Sequence, residues 1–172
     1  IRETDAIAHV VRCFEDSEVI HVEGAVDPLS DIETVETELM LADLESLERR
    51  VTALEKRVRA QDKEAIELLG LVQRSLALLR EGKPARLLER KPEDERNFRM
   101  LGLLSSKPVL YVCNVEESAA EKGNALSARV VERAKAEGSR AVVVSAKIES
   151  EIGVLAQADR QDFLAAVGLE EP

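Results

Sequence analysis

The sequence predicts an α/β domain with a parallel sheet, interrupted by a helical hairpin, and three observations carry that prediction. Three short apolar runs, Ala6–Cys13, Pro108–Cys113 and Ala141–Val144, each lead into a polar stretch and read as strands. An amphipathic segment from Ala125 to Glu137 separates the second run from the third, the arrangement of a right-handed crossover between parallel strands. From Ile32 onward, apolar residues recur at alternating intervals of four and three, which is a heptad seam.

Length and composition bound the rest. At 172 residues the chain is about one domain, and 45% hydrophobic with 34% charged residues describes a globular protein. A net charge of -10 argues against a dedicated binder of phosphate backbones. With 2% aromatics and no Trp, a platform for stacking successive bases is not expected. No apolar run approaches the roughly 20 residues needed to span a bilayer, so no membrane partner is expected. Cys13 and Cys113 are far apart in sequence and belong to no Cys-x-x-Cys, so neither a disulfide framework nor a zinc site is indicated. A reduced, cytoplasmic protein is the default expectation. The chain opens at Ile1 without an initiator Met and closes at Pro172 without a helix cap, and the expectation is a piece of a larger protein.

The elements follow in order. Ala6–Cys13 reads as a buried strand. Asp27 before Pro28 suits a helix N-cap with Pro at the first helical position, and Ser30-x-x-Glu33 fits a capping box. Met40, Leu44, Leu47, Val51, Leu54 and Val58 form the first seam. A polar break at Gln61–Glu64 leads to a second seam of Ala65, Leu69, Val72, Leu76 and Leu79, stopped by Gly82 with Pro84 close behind. Gly70 weakens this second helix by about 1 kcal/mol relative to Ala. Two seams with a short connection predict an antiparallel hairpin whose stripes pack on each other. A charged helical stretch near Pro92–Leu104 follows. Then come the second strand, the helix at 125–137 stopped by Gly138, the third strand, and a last helix from Asp159 to Val167 stopped by Gly168. Residues 1–31 and 97–172 would thus form a half-covered three-stranded sheet, half of a doubly wound domain, and 32–96 would be a helical coiled-coil insertion.

In open α/β sheets, ligands bind outside the carboxyl ends of the strands. Two polar motifs occupy that edge: Asn114-Val115-Glu116-Glu117 after the second strand and Ser145-Ala146-Lys147 after the third. A carboxamide can donate to a purine N7 and accept from an exocyclic amine. Ser145 can brace a loop whose backbone N–H groups face the base. Each motif alone is ordinary turn chemistry; together and in this order they resemble the base-recognition motifs of P-loop NTPases.

The resemblance extends further. Asp5-Ala-Ile-Ala-His-Val-Val-Arg-Cys-Phe14, His21-Val-Glu-Gly24 with Asp27-Pro28, the helical insertion, Tyr111-Val-Cys-Asn-Val-Glu-Glu117 and Ser145-Ala-Lys-Ile-Glu-Ser-Glu-Ile152 closely resemble the Obg-like ATPase (YchF) family. The resemblance implies the C-terminal half of a G-domain-like P-loop NTPase. It implies Asn-x-x-Glu in place of the Asn-Lys-x-Asp of GTPases, hence ATP as well as GTP. Asn114 and Glu117 match those positions, Val115 falls where the GTPase Lys would be, and Ser145, Ala146 and Lys147 match the last base-contacting loop. The parent protein would hydrolyse ATP or GTP with Mg2+ and associate with the ribosome. The sequence contains no Gly-x-x-x-x-Gly-Lys-Ser/Thr and no Asp-x-x-Gly; Gly82-Lys83 is followed by Pro. By the resemblance, the phosphate cradle, the Mg2+ ligands and the water-positioning elements would precede Ile1, and a small TGS domain would follow Pro172. The fragment alone is therefore expected to be inactive.

Other residues draw weaker readings. His9, in an apolar strand, reads as a hydrogen-bonded core histidine, and His21 has no partner at metal-ligand spacing. Cys113 reads as a buried strand-end residue. Glu116, Glu149 and Glu151 read as solvated loop charges. Arg49-Arg50, Lys56-Arg57 and Arg86–Lys91 are the basic patches available to a ribosomal partner. The alternatives are an interaction module whose coiled coil docks a partner over a scaffold, and an independent enzyme centred on Asn114 and Ser145. The latter is disfavoured for want of a nucleophile–base pair.

Overall fold

In a computed structural model, residues 3–15 and 26–166 are described; His21, Gly24, Val167 and Gly168 lie outside them. The chain divides into two compact units, one from Ile1–Ile7 and Glu33–Pro108, the other from Ala8–Ile32 and Val109–Pro172. The helical unit therefore reaches Pro108, beyond the 32–96 expected for the insertion.

The α/β unit is built on a three-stranded sheet, β1 (Ile7–Arg12), β2 (Val109–Asn114) and β3 (Arg140–Val144), in that spatial order. β2 and β3 are parallel, with Tyr111 opposite Ala141 and Cys113 opposite Val143. Ile7 N donates to the Pro108 carbonyl (3.0 Å) and Cys13 N to that of Asn114 (2.8 Å). The same interval is covered along both chains, so β1 runs parallel too. One face of the sheet is buried: Val11, Cys13, Tyr111, Cys113 and Val115 form a core with Val130 and Ala134 of α4 (Ala125–Glu137) and with Ile32. Among the described residues nothing covers the opposite face, where Val10 is 65%, Val142 42% and Leu110 36% exposed. Ala6–Cys13 is expected as a buried strand of a half-covered sheet; the pleat buries its alternate residues on the covered face and leaves the others on the uncovered one.

Local chemistry sets the ends of these elements. α4 opens on Asn124, whose side chain accepts from Ser127 N while Ser127 Oγ accepts from Asn124 N, a reciprocal capping box. Gly123 before it holds φ +74, and a Cβ there would lie 2.6 Å from Ser127 Oγ, so only glycine fits. Beyond β3 the chain forms α5 (Ala146–Val154), which its sequence did not announce, and α6 (Gln157–Ala166). Ile148, Ile152 and Leu164 bury each other in a small separate cluster. α5 is short and its buried apolar residues few, too little for a periodic signal, whereas α6 is the last helix expected from Asp159 onward.

The helical unit contains most of α1 (Pro28–Arg59), about 48 Å long, then α2 (Lys63–Arg80) and α3 (Glu95–Leu101). α1 starts at Pro28 with Leu29 N donating to Asp27 Oδ1 (3.2 Å). Ser30 thus sits inside the first turn, and the Ser30–Glu33 capping box is not the start. The seams pack as their spacing requires: Met40, Leu47 and Leu54 are buried with Ala65, Val72, Leu76 and Leu79, and Leu44, Val51, Val58 and Leu69 pack at the margin. The chain reverses at Gln61, which takes φ 60, and Asp62 caps α2 by accepting from Ala65 N while pairing with Arg57. At its other end Gly82 adopts φ 72, letting Lys83 N reach the Leu78 carbonyl (3.2 Å). The stretch from Pro92 is not one helix: a 3-10 turn at Pro92–Asp94 precedes α3, and Gly102 at φ 62 ends it.

Gly70 lies in the interior of α2 with nothing within 4 Å of where a Cβ would stand. Gly70→Ala is expected to stabilise the protein by about 1 kcal/mol through the unfolded-state entropy it removes. Urea denaturation checks this; an unchanged midpoint would mean that the α2 interior is frayed in solution.

Candidate nucleotide-base site

At the carboxyl ends of β2 and β3 the α/β unit has a cleft of about 570 Å³, lined by Phe14, Glu15, Asn114, Val115, Glu116, Glu117, Ala146 and Lys147. The two motifs that are 31 residues apart from Asn114 to Ser145 in the chain therefore converge. One hydrogen bond joins them directly: Ala146 N donates to Asn114 Oδ1 at 2.9 Å. Since the donor is a backbone N–H, the oxygen of the carboxamide is identified without ambiguity. Asn114 Oδ1 keeps a second lone pair, and its Nδ2 carries the donors a purine N7 would need.

Ser145 and Val115 brace this junction from within. Val115 N donates to the Val144 carbonyl (2.9 Å), extending the β2–β3 ladder into the motif. Val115 is 3% exposed and belongs to the sheet core. A short apolar side chain at this position supplies neither the stem nor the charge of the lysine that the GTPase motif carries. Ser145 is the N-cap of α5 by position, 3% exposed, and its Oγ has no hydrogen-bond partner among the described residues. Its carbonyl accepts the first bond of α5, from Glu149 N (3.0 Å).

Charge at the cleft is organised by one ion pair. Lys147 Nζ, on the first turn of α5, pairs with Glu117 Oε1, at the start of the 3-10 turn Glu117–Ala119. The hydrogen bond from Lys147 holds the Glu117 carboxyl below the usual glutamate range, and Glu117 in turn raises Lys147. The pair is intact at neutral pH and is lost as pH falls through the lowered carboxyl pKa; because both side chains are solvent-exposed, its effect on stability is slight.

Two contributors were not singled out from sequence. The Phe14 ring forms a wall of the cleft and carries the Arg12 guanidinium 5.0 Å from its centroid. A low overall aromatic content says nothing about where one ring stands. Asn124 fastens the cleft's base: its Nδ2 donates to the Cys13 carbonyl (2.6 Å) and to Glu116 Oε2 (2.9 Å). Glu116 is therefore a structural partner, not a free loop charge. The only advance signal for Asn124 was its N-cap position before α4.

The remaining candidates have structural surroundings. His9 is half-buried, its ring 5.9 Å from that of Tyr111. Cys13 and Cys113 are fully buried free thiols, neighbours in space despite their separation in sequence. The Cys13 thiol hydrogen-bonds Cys113, which drives Cys13 up and Cys113 down. The basic runs are engaged within the helical unit: Arg50 bonds the Leu101 carbonyl (3.0 Å), Arg57 pairs with Asp62, Arg86 with Glu36, and Arg90 with Glu95 over the Phe98 ring. Among the described residues no group of three or more His, Cys, Asp and Glu side chains could hold a metal ion, and no helix is long and apolar enough to cross a membrane.

No family model matches the chain. Curated relatives do. The chain is 43% identical over 173 residues to a protein of Bacillus subtilis named ribosome-binding ATPase YchF, a match covering 99% of this chain and 47% of that protein. It is 44% identical over 172 residues to the protein of the same name from Haemophilus influenzae, covering 100% of this chain and 47% of the relative. The chain thus spans about half the length of the curated relatives it matches. Among solved structures, that of the Schizosaccharomyces pombe YchF GTPase superposes with a TM-score of 0.82 at 24% identity, over 99% of this chain and 47% of that one. At that identity the superposition shows the fold. From end to end the chain is a relative of the YchF proteins, resembling a stretch that makes up about half of each.

Proposed function

We propose that this chain is the base-reading half of a YchF-type P-loop ATPase, which binds and hydrolyses ATP, with GTP as a second substrate, and works on the ribosome in the cytoplasm. The observation that carries the reading is the bond between Ala146 N and Asn114 Oδ1, which brings both base motifs to one cleft. In it Asn114 would pair with the N7 and 6-amino edge of adenine, Ala146 and Lys147 would present the loop behind the base, and Phe14 would supply an aromatic wall. Ser145 and Val115 would hold the loops from beneath. Residues 8–32 and 109–172 would form the nucleotide unit, and the helical unit would be an arm for contact with the larger assembly. Mg2+ would act on the triphosphate through residues outside this sequence, which has neither a Gly-x-x-x-x-Gly-Lys-Ser/Thr nor an Asp-x-x-Gly.

The isolated 172-residue chain should accordingly show no Mg2+-dependent turnover, since a few base contacts of about 1 kcal/mol each cannot hold an uncompensated triphosphate. In a complete protein carrying this half, Asn114→Ala should weaken ATP binding by about 1–3 kcal/mol, the range for losing a buried polar partner. Calorimetry and a phosphate-release assay test both statements. Steady turnover by the isolated chain, or ATP affinity indifferent to Asn114, would overturn the assignment.

A further inference from the structure

We propose that the Lys147 side chain is a specificity-determining residue of the base cleft, because it occupies the Glu117 carboxylate that a guanine edge would otherwise use. The inference rests on the cleft being a purine site, as proposed above, and concerns a different group from the carboxamide that carries that reading.

The argument starts from what each purine offers. Guanine presents two adjacent donors, N1–H and the 2-amino group, and a carboxylate acceptor is their natural partner. Adenine has an acceptor at N1 and nothing at position 2. Glu117 lies three residues beyond Asn114 and lines the same cleft. Left free, its carboxylate would attract guanine and repel the lone pair of adenine N1. It is not free: Lys147 reaches it from the first turn of α5, and Glu151, one turn on, adds a second negative charge that favours the ammonium. Lys147 holds Glu117 Oε1, so guanine could place its two donors on both carboxylate oxygens only in competition with an ammonium; adenine, which engages Asn114, leaves the ion pair undisturbed. Lys147 thus tilts the cleft toward a 6-aminopurine by withholding an acceptor. The pair is exposed, with side-chain accessibilities of 68% and 45%. Its weight in discrimination is accordingly that of a surface ion pair, a factor of about three to five.

The test uses the chain itself and weak ligands that need no phosphate cradle. Adenosine and guanosine monophosphates are titrated into 15N-labelled protein, following the Asn114 side-chain amide and the backbone N–H groups of Ala146 and Glu117. In the native chain AMP should bind more tightly than GMP. In Lys147→Met the GMP-to-AMP affinity ratio should rise about three- to fivefold, whereas Lys147→Arg, which keeps the ion pair, should leave it unchanged. Adding Glu117→Gln to Lys147→Met should abolish the gain in GMP affinity. The dispersion of the same spectra reports that each variant is folded. A ratio unmoved by Lys147→Met, or moved equally by Lys147→Arg, would overturn the role of Lys147 and leave the purine site standing. Absence of any shift at Asn114, Ala146 and Glu117 with either nucleotide would overturn the purine site itself.

Discussion

Replacing Leu47 and Leu54 together by Asp should unfold the helical unit, with circular dichroism losing most of the helical signal that α1 and α2 contribute. Both leucines are buried, Leu47 at 0% and Leu54 at 6% exposure, in the cluster that joins the two seams. Removing a buried leucine side chain costs about 2–5 kcal/mol by itself. Each Asp adds the penalty of a carboxylate facing Val72, Leu76 and their neighbours without a partner. The sum exceeds the 5–15 kcal/mol that holds a typical domain, or comes close to it. The conservative pair Leu47→Met and Leu54→Met keeps the volume and should retain the helix, separating loss of packing from a general intolerance of substitution. Full helical content in the double Asp variant would mean that α1 and α2 do not depend on this seam.

A comparably large loss is expected from Asp43→Ala, at a residue whose role only the folded chain reveals. Asp43 is fully buried in α1, and its carboxylate accepts from Leu104 N, Ser105 N and Ser105 Oγ, each at 2.8 Å. Ser105 Oγ in turn accepts from Ala85 N at 3.1 Å. One side chain thus satisfies the opening N–H groups of the 3-10 turn Leu104–Ser106 and reaches the segment after α2 through a shared hydroxyl. Truncation leaves two backbone donors buried without acceptors, at about 1–3 kcal/mol each. A net loss of about 3–5 kcal/mol is expected, with Asp43→Asn milder because its amide oxygen still accepts one of the bonds. Thermal unfolding of the two variants checks the order. Equal stability of Asp43→Ala and the native chain would show that water satisfies these groups and that the site is not sealed.

The long-period features were legible in the sequence because they repeat. The heptad spacing from Met40 to Val58 and from Ala65 to Leu79 commits each segment to one apolar stripe, and a stripe has only one low-energy fate, burial. The end of α4 was equally plain, since Gly138 satisfies helix-end groups by local chemistry. The order of the Asn114 and Ser145 motifs behind two strands pointed to one sheet edge for the same reason: parallel strands must present their carboxyl ends together. What the tertiary structure alone decided is contact between residues distant in the chain. No local pattern says that Asn114 Oδ1 meets Ala146 N, that Lys147 takes Glu117, that Asn124 reaches the Cys13 carbonyl, or that Asp43 caps a turn 61 residues on. Each is a single polar pairing, fixed by where the packed apolar elements bring the backbone, and a single pairing leaves no period to read. Val115 shows both at once: it lines the cleft as its motif position suggests, and the alternation of β2 continues one residue further so that its side chain is also buried in the sheet core. Periodic burial can be read from a chain because water imposes it residue by residue; specific polar partnership is settled only when packing has chosen the neighbours.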